Sequence, residues 1–222
     1  MSYKLSPSSI NLFLECPRCF WLQLVKGIKR PEGIFPSLPS GMDKILKEHF
    51  DAYMKKGLLP PEIKAHGLES GYQLFADKKT LDIWRSNFKG IEYMDKTSGV
   101  LLRGAVDNIL THGKKLIVLD YKTRGFPLKE DTHTHYQTQM DLYNYLLRKN
   151  GYETADYAYL LFYHPKNVNA AGDVVFHTDL IRIETDVKHG EKVFRDAIKC
   201  LDGEEPEKGK ECGFCMWVEK NA

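Results

Sequence analysis

The chain has no run approaching the ~18 consecutive apolar residues of a membrane span. Met1–Pro7 also lacks the charged start and apolar run of a signal peptide. The expectation is a cytoplasmic protein with no membrane partner. Charge of one sign is missing too. The 32 Lys and Arg against 30 Asp and Glu leave a net charge of +2, which excludes a uniformly basic coat, so any basic groove must come from local clustering. No internal repeat or low-complexity tract excludes a solenoid. No helix-turn-helix or zinc-finger pattern excludes the usual base-reading modules. No Gly-rich phosphate loop excludes a built-in nucleotide-driven motor.

What remains is a chain of 222 residues with 42% hydrophobic residues, enough to bury a core as one α/β domain over 1–222. Ser6 caps a first helix that has Pro7 in its first turn and runs through Ile10, Phe13 and Leu14. The apolar Phe20–Val25 follows. A loop punctuated by Pro31, Pro36 and Pro39 runs from Lys29 to Ser40. Gly41 opens a helix with Met42, Leu46, His49 and Tyr53 on one face, ended by Gly57–Pro61. A helix is predicted over Asp77–Phe88, and strands over Ile91–Met94, Val100–Leu110 and Leu116–Tyr121, the last two joined by a turn at Thr111–Lys114. Thr134–Lys149 reads as a helix with Tyr136, Met140, Tyr143 and Leu147 in phase. Strands at Tyr157–Tyr163 and Asp173–Glu184 flank a turn at Asn167–Gly172, and Val187–Leu201 is the last helix. This order predicts a mixed central sheet flanked by helices.

The chemistry concentrates in Leu102–Gly125, LRGAVDNILTHGKKLIVLDYKTRG. Strand alternation sends Asp120 and Lys122 to one side of the sheet. Asp107, expected near the middle of the preceding strand, comes close to Asp120 through antiparallel pairing. An isolated Asp-x-Lys is ordinarily a surface ion pair. Here the strand is apolar up to Asp120, and a second carboxylate stands on its partner. Two carboxylates supply the hard oxygen ligands that suit Mg²⁺ or Mn²⁺. An ammonium beside them can orient a water or steady negative charge on a phosphodiester.

Five cysteines in a reducing compartment are poor disulfide partners and good metal ligands. Cys16-x-x-Cys19 and Cys212-x-x-Cys215 can complete a four-sulfur site that clasps the two ends of the chain, holding either Zn²⁺ or an iron–sulfur cluster.

GAVD followed by LDYKT resembles the PD-(D/E)xK nuclease superfamily, in particular its RecB-like branch, which includes the RecB and AddB nuclease domains and CRISPR-associated RecB-like exonucleases. The pattern falls on Gly104–Asp107 and Asp120–Thr123, with Arg124 before the Gly. The family's Gln-x-x-x-Tyr helix is matched by Gln139 and Tyr143. Its opening Ser-x-x-x-x-aromatic-x-x-Cys-Pro is matched by Ser8–Pro17, with Phe13 as the aromatic. The resemblance implies a restriction-endonuclease-like fold. It implies metal ligation by Asp107, Asp120 and the backbone carbonyl of Tyr121, with Lys122 and Gln139 as further catalytic groups. The family also places an acidic residue or a His on an early helix to reach the metal. His49 is the candidate, with Asp43 as its competitor; the spacing from Gly41 to His49 is longer than usual. Arg124 and Tyr143 are expected to contact substrate. The four cysteines usually hold a [4Fe–4S] cluster, with one ligand from the first side and three from the last. Here no cysteine follows Cys215, which leaves Cys19, or else Cys200, as the fourth ligand and makes zinc more plausible.

The implied activity is Mg²⁺- or Mn²⁺-dependent hydrolysis of DNA, as an exonuclease on single strands or ends, in repair, recombination or CRISPR adaptation. A helicase or the adaptation proteins would be separate chains. The alternative is a non-catalytic nucleic-acid-binding adaptor on the same fold. Arg18, Lys26, Lys29, Arg30 and Arg103 are candidate phosphate contacts, and Phe20, Trp21, Phe35 and Trp217 candidate stacking platforms for bases. His112, His133, His135, His164 and His177 show no repeated spacing and read as solvated residues or phosphate contacts.

Overall fold

The structure, a computed structural model, describes residues 3–216. Its main sheet has the strand order β2-β5-β6-β7-β8, formed by Tyr72–Leu74 (β2), Asn108–His112 (β5), Lys115–Thr123 (β6), Tyr157–Val168 (β7) and Val174–Glu184 (β8). Within this sheet, among the described residues, only β6 and β7 run parallel. The connection between them is a 3₁₀ turn at Thr132–Tyr136 followed by α6 (Gln137–Lys149), the helical crossover that parallel neighbours need. A smaller sheet, β1-β4-β3, joins Lys4–Leu5 (β1), Leu101–Gly104 (β4) and Ile91–Met94 (β3).

Alternation along β6 divides the core in two. Leu116 and Val118 face α6 and α7 (Val187–Asp202). Ile117, Leu119 and Tyr121 face α3 (Ser37–Lys55) and the short α4 (Pro61–Lys64). The mixed sheet flanked by helices is as the sequence predicts.

Most boundaries agree with the local signals. Ser6 and Ser9 form a reciprocal cap on α1 (Pro7–Glu15), with Ser6 Oγ accepting from Ser9 N at 3.2 Å and Ser9 Oγ from Ser6 N at 2.8 Å. Asp77 caps α5 (Lys78–Trp84), which is shorter than the predicted helix. Helix α3 starts at Ser37, not Gly41, because Pro36 and Pro39 fall at its N-terminal turn, where the missing N–H costs nothing. The largest difference is at Val100–Leu110. It is not one strand but β4 and β5 in different sheets, with Ala105–Asp107 as the bend between them. Phe20 and Trp21 lie in α2 (Pro17–Trp21) and are buried, so neither can stack on a base. Phe35 is exposed. Trp217 lies outside the described residues.

Helices α6 and α7 cross at Gly190, where an added Cβ would stand 2.8 Å from the Asp141 carbonyl oxygen. The buried Asp141 carboxylate fastens this crossing by accepting from Asp186 N at 2.8 Å and by pairing with His189 Nδ1 at 2.7 Å. Because backbone cannot move aside as a flexible side chain can, Gly190→Ala should destabilise the protein by about 1–3 kcal/mol. The exposed Lys188→Ala one turn-edge away should stay within about 0.5 kcal/mol of the parent. Urea unfolding of the two variants measures the difference.

Candidate active site

The residues at the end of β6 set the site. Leu119 and Tyr121 point to the α3 side, which leaves Asp120 and Lys122 pointing toward α6. Register pairing of Asn108 with Leu119 brings the preceding residue, Asp107, opposite Asp120. Asp107 is held at its bend from two directions. Its carboxylate oxygen Oδ2 accepts from Tyr121 N at 2.9 Å. Its carbonyl accepts from Arg85 Nε at 2.7 Å, and Arg85 is itself paired with Asp51 at 2.7 Å.

Asp120 is buried, at 2% exposure. Its Oδ2 lies against the Lys122 ammonium as an ion pair but has no aligned hydrogen-bond partner. Burial, reinforced by the charge of Asp107, pushes its carboxyl up to about 7 even with Lys122 and Lys47 opposing. Burial alone would lower Lys122, yet Asp120 and Asp107 outweigh it and raise its pKa, so the ammonium stays charged. Lys122 Nζ donates to Gln139 Oε1 at 3.1 Å and sits 4.5 Å from the centre of the Tyr136 ring. Gln139 Nε2 in turn donates to Tyr143 OH at 2.9 Å, and Tyr143 OH donates to the Ala105 carbonyl at 2.6 Å. This chain of bonds runs from the ammonium back to the bend that carries Asp107. Gly104 makes the close approach possible, since a Cβ there would stand 2.9 Å from the Tyr143 ring.

Helix α3 contributes residues that the sequence reading underrated. Asp43, Lys47 and Asp51 recur every four residues and so share one face. Lys47 Nζ bridges Asp43 at 2.8 Å and Asp107 at 3.1 Å. Burial and the neighbouring Asp107 raise the pKa of Asp43. His49 is two residues from Lys47, roughly 200° around the helix, and is not brought to the carboxylates. Its Nε2 pairs with Glu62 at 2.9 Å and its ring packs on Tyr53 and Phe50. The competitor, Asp43, is the one that lies beside Asp107, through Lys47. The signal was present in the Asp43-x-x-x-Lys47-x-x-x-Asp51 spacing, but Lys47 and Arg85 carry no motif of their own.

Other expectations divide. Tyr143, expected at the substrate, is buried, and its hydroxyl accepts from Gln139 and donates to the Ala105 carbonyl. Arg124 continues from β6, its N–H donating to the Tyr163 carbonyl at 2.8 Å. Arg30 is tied to Glu15 at 2.7 Å and to Cys212 Sγ at 3.3 Å, and Arg18 to Glu205 at 2.7 Å. These two guanidiniums brace the cysteine region.

Cys16, Cys19, Cys212 and Cys215 come together and are buried, joining the start of the chain to its last described turn. The Sγ–Sγ separations are 3.8 Å for Cys16–Cys215, 3.6 Å for Cys19–Cys212 and 3.7 Å for Cys19–Cys215. Burial and the adjoining thiols push Cys215 up to about 12. Burial would also raise Cys212, but the Cys215 N–H and the other thiols bring it down to about 6. Four thiols this close cannot all ionise without a cation among them. Cys200 stands apart on α7, with Sγ 4.0 Å from the Pro17 carbonyl.

A buried and a half-buried carboxylate stand side by side with a charged lysine held by an amide, at the end of an apolar strand. The family model described as the PD-(D/E)XK nuclease superfamily matches residues 37–219, and the chain belongs to that superfamily. Comparison with curated proteins finds no match. Among the described residues, no helix is long and apolar enough to cross a membrane.

The buried Asp120 carboxylate, whose pKa stays raised beside Asp107 even with Lys122 paired to it, fits the divalent cation that this superfamily uses. Asp120 holds its proton to about pH 7 when folded but only to about 3.9 when unfolded. Between those values the folded state binds more protons, so Asp120 makes metal-free protein lose stability as pH rises from about 4 to about 7. Thermal unfolding of divalent-free protein should show this fall. Asp120→Asn should remove that part of the slope, and Mg²⁺ or Mn²⁺ near neutral pH should raise the melting temperature of the parent. A parent and variant with equal slopes would contradict the assignment.

Proposed function

We propose that this chain is a Mg²⁺- or Mn²⁺-dependent deoxyribonuclease of the RecB-like branch, working as one unit over its whole length. Its substrate in this reading is single-stranded DNA or DNA ends, in repair, recombination or CRISPR adaptation, with any helicase on a separate chain. The observation that carries the reading is the buried Asp120, set between Asp107 and Lys122, whose pKa is raised although Lys122 is paired with it. The raised pKa means that Lys122 alone does not offset the burial of Asp120 beside a second carboxylate, and a divalent cation would add the missing positive charge.

Asp107, Asp120 and the Tyr121 carbonyl would hold the cation, with Asp43 in the place first given to His49. When bound, the cation would supply an activated water and positive charge for the phosphate. Lys122 presents its ammonium from a partly buried position, where a fixed charge acts more strongly than in water. Gln139 fixes the direction of that ammonium, and Tyr143 fixes Gln139. Lys47 restrains Asp107 and Asp43 against each other's charge. Arg124, just past the end of β6, would contact a substrate phosphate in this reading.

The cysteine site favours a single tetrahedral ion. A Zn–S bond of about 2.3 Å gives a tetrahedron edge of about 3.8 Å, close to the observed separations of 3.6–3.8 Å. A cubane would interpose four irons between the thiolates and spread them further apart. Its role in this reading is structural, tying α1 and α2 to the far end of the chain. Anaerobically purified protein should contain Zn²⁺ and show no visible charge-transfer band; stoichiometric iron and sulfide would reverse this choice.

The test of activity is digestion of end-labelled single- and double-stranded oligonucleotides with Mn²⁺. Lys122→Ala should lower cleavage by roughly 10²–10³-fold while DNA binding persists, and Gln139→Ala should give a smaller loss. Parent protein that binds DNA but cleaves no faster than Lys122→Ala would replace the nuclease reading with that of a binding adaptor.

A further inference from the structure

We propose that His164, His177 and Asp179 form a site for a divalent ion of the zinc class, separate from both the carboxylate centre and the four cysteines. The three residues lie on the β7–β8 hairpin. His164 is the register partner of His177, and Asp179 follows two residues later opposite Phe162. Period-two alternation therefore puts all three side chains on one face of the sheet.

One ligand atom from each residue lies within 4.8 Å of the others. His164 Nε2 is 3.3 Å from Asp179 Oδ2, and His177 Nε2 is 3.4 Å from Asp179 Oδ1. Zn–N and Zn–O bonds of about 2.0–2.1 Å make a tetrahedron edge of about 3.3–3.4 Å. The two spacings, each to a different Asp179 oxygen, are close to that edge, and one ligand atom from each residue lies within 4.8 Å of the others, near enough for small side-chain adjustments to converge on one ion. Both contacts are imidazole–carboxylate ion pairs without hydrogen-bond alignment, and Asp179 gathers the two rings around one carboxylate.

The outer contacts agree. His164 Nδ1 faces the Pro165 carbonyl at 3.4 Å. With Nδ1 donating there, Nε2 keeps its lone pair for a metal, the arrangement that usually orients a ligating histidine. His164 is nearly buried, its side chain 9% exposed, while those of Asp179 and His177 are 29% and 48% exposed. The ion would have a protein floor and an outer position open to water. Two imidazoles and one carboxylate suit Zn²⁺ and its neighbours better than Mg²⁺, which prefers oxygen and an octahedron. The ion would pin the strands just before the register shift between Pro165 and Asn167. None of this depends on the nuclease reading.

The test is calorimetric titration with Zn²⁺ of tag-free protein whose cysteine site is already loaded, in excess Mg²⁺ to occupy hard-oxygen sites. One further equivalent of Zn²⁺ is expected. His177→Ala and Asp179→Asn should each weaken it by more than roughly tenfold, since even an outer partner of a metal-bound histidine is worth about that much. Asp120→Asn should leave it unchanged. His177 is exposed enough for its removal to spare the fold, and the near-isosteric Asp179→Asn provides a second check. Absence of the extra equivalent, or equal uptake by parent, His177→Ala and Asp179→Asn, would overturn the proposal. Loss of uptake in Asp120→Asn alone would assign the ion to the carboxylate centre instead.

Discussion

Asp120 sits where water cannot reach it, next to a second carboxylate, and that placement organises the surrounding structure. Charged oxygen in a low-dielectric setting must be neutralised, paired or coordinated. Lys122 supplies one cation two residues along the same strand face, and Lys47 supplies another across Asp107. Arg85 fixes the backbone at Asp107. The Lys122–Gln139–Tyr143–Ala105 chain then ties α6 to the bend between β4 and β5. Three helices and two sheets thus converge on a few charges at the end of one strand.

The cysteine site obeys the same electrostatic logic with softer atoms. Four buried sulfurs from opposite ends of the chain gather where Arg30 donates to Cys212. Burial and mutual contact drive the thiol pKa values apart, to about 6 at Cys212 and about 12 at Cys215. A cation among them would remove that conflict and, in the proposed reading, close the first helices against the last described segment. The two centres therefore differ in ligand hardness; in the proposed reading one is presented for chemistry and the other holds the architecture.

The readable parts of the sequence were those with a short-range physical signature. Alternation in Val118–Lys122 placed Asp120 and Lys122 on one face, and the two Cys-x-x-Cys pairs announced a shared site. The capped first helix and the strands after α6 were legible for the same reason. Failures came where distant parts of the chain decide. Asp107 was expected inside a strand, but Ala105–Asp107 bends because β4 and β5 are claimed by different sheets. His49 fitted the apolar stripe of α3, and that is why it turns away from the charges that Asp43 and Lys47 meet. Phe20 and Trp21 were indistinguishable by sequence from surface platforms until packing buried them. His164 and His177 have no motif spacing at all; only the register of the β7–β8 hairpin sets them side by side. The two-residue β1 and three-residue β2 are too short for any periodicity to show.

The central claim is that Asp107 and Asp120 share a divalent cation. Crystals of the protein grown with Mn²⁺, measured at the manganese edge, test it most directly. The account predicts an anomalous peak bridging the two carboxylates at ordinary Mn–O bonding distance, with Lys122 still held by Gln139. Occupied Mn²⁺ elsewhere with no peak between Asp107 and Asp120, or carboxylates turned apart to separate solvent positions, would contradict it.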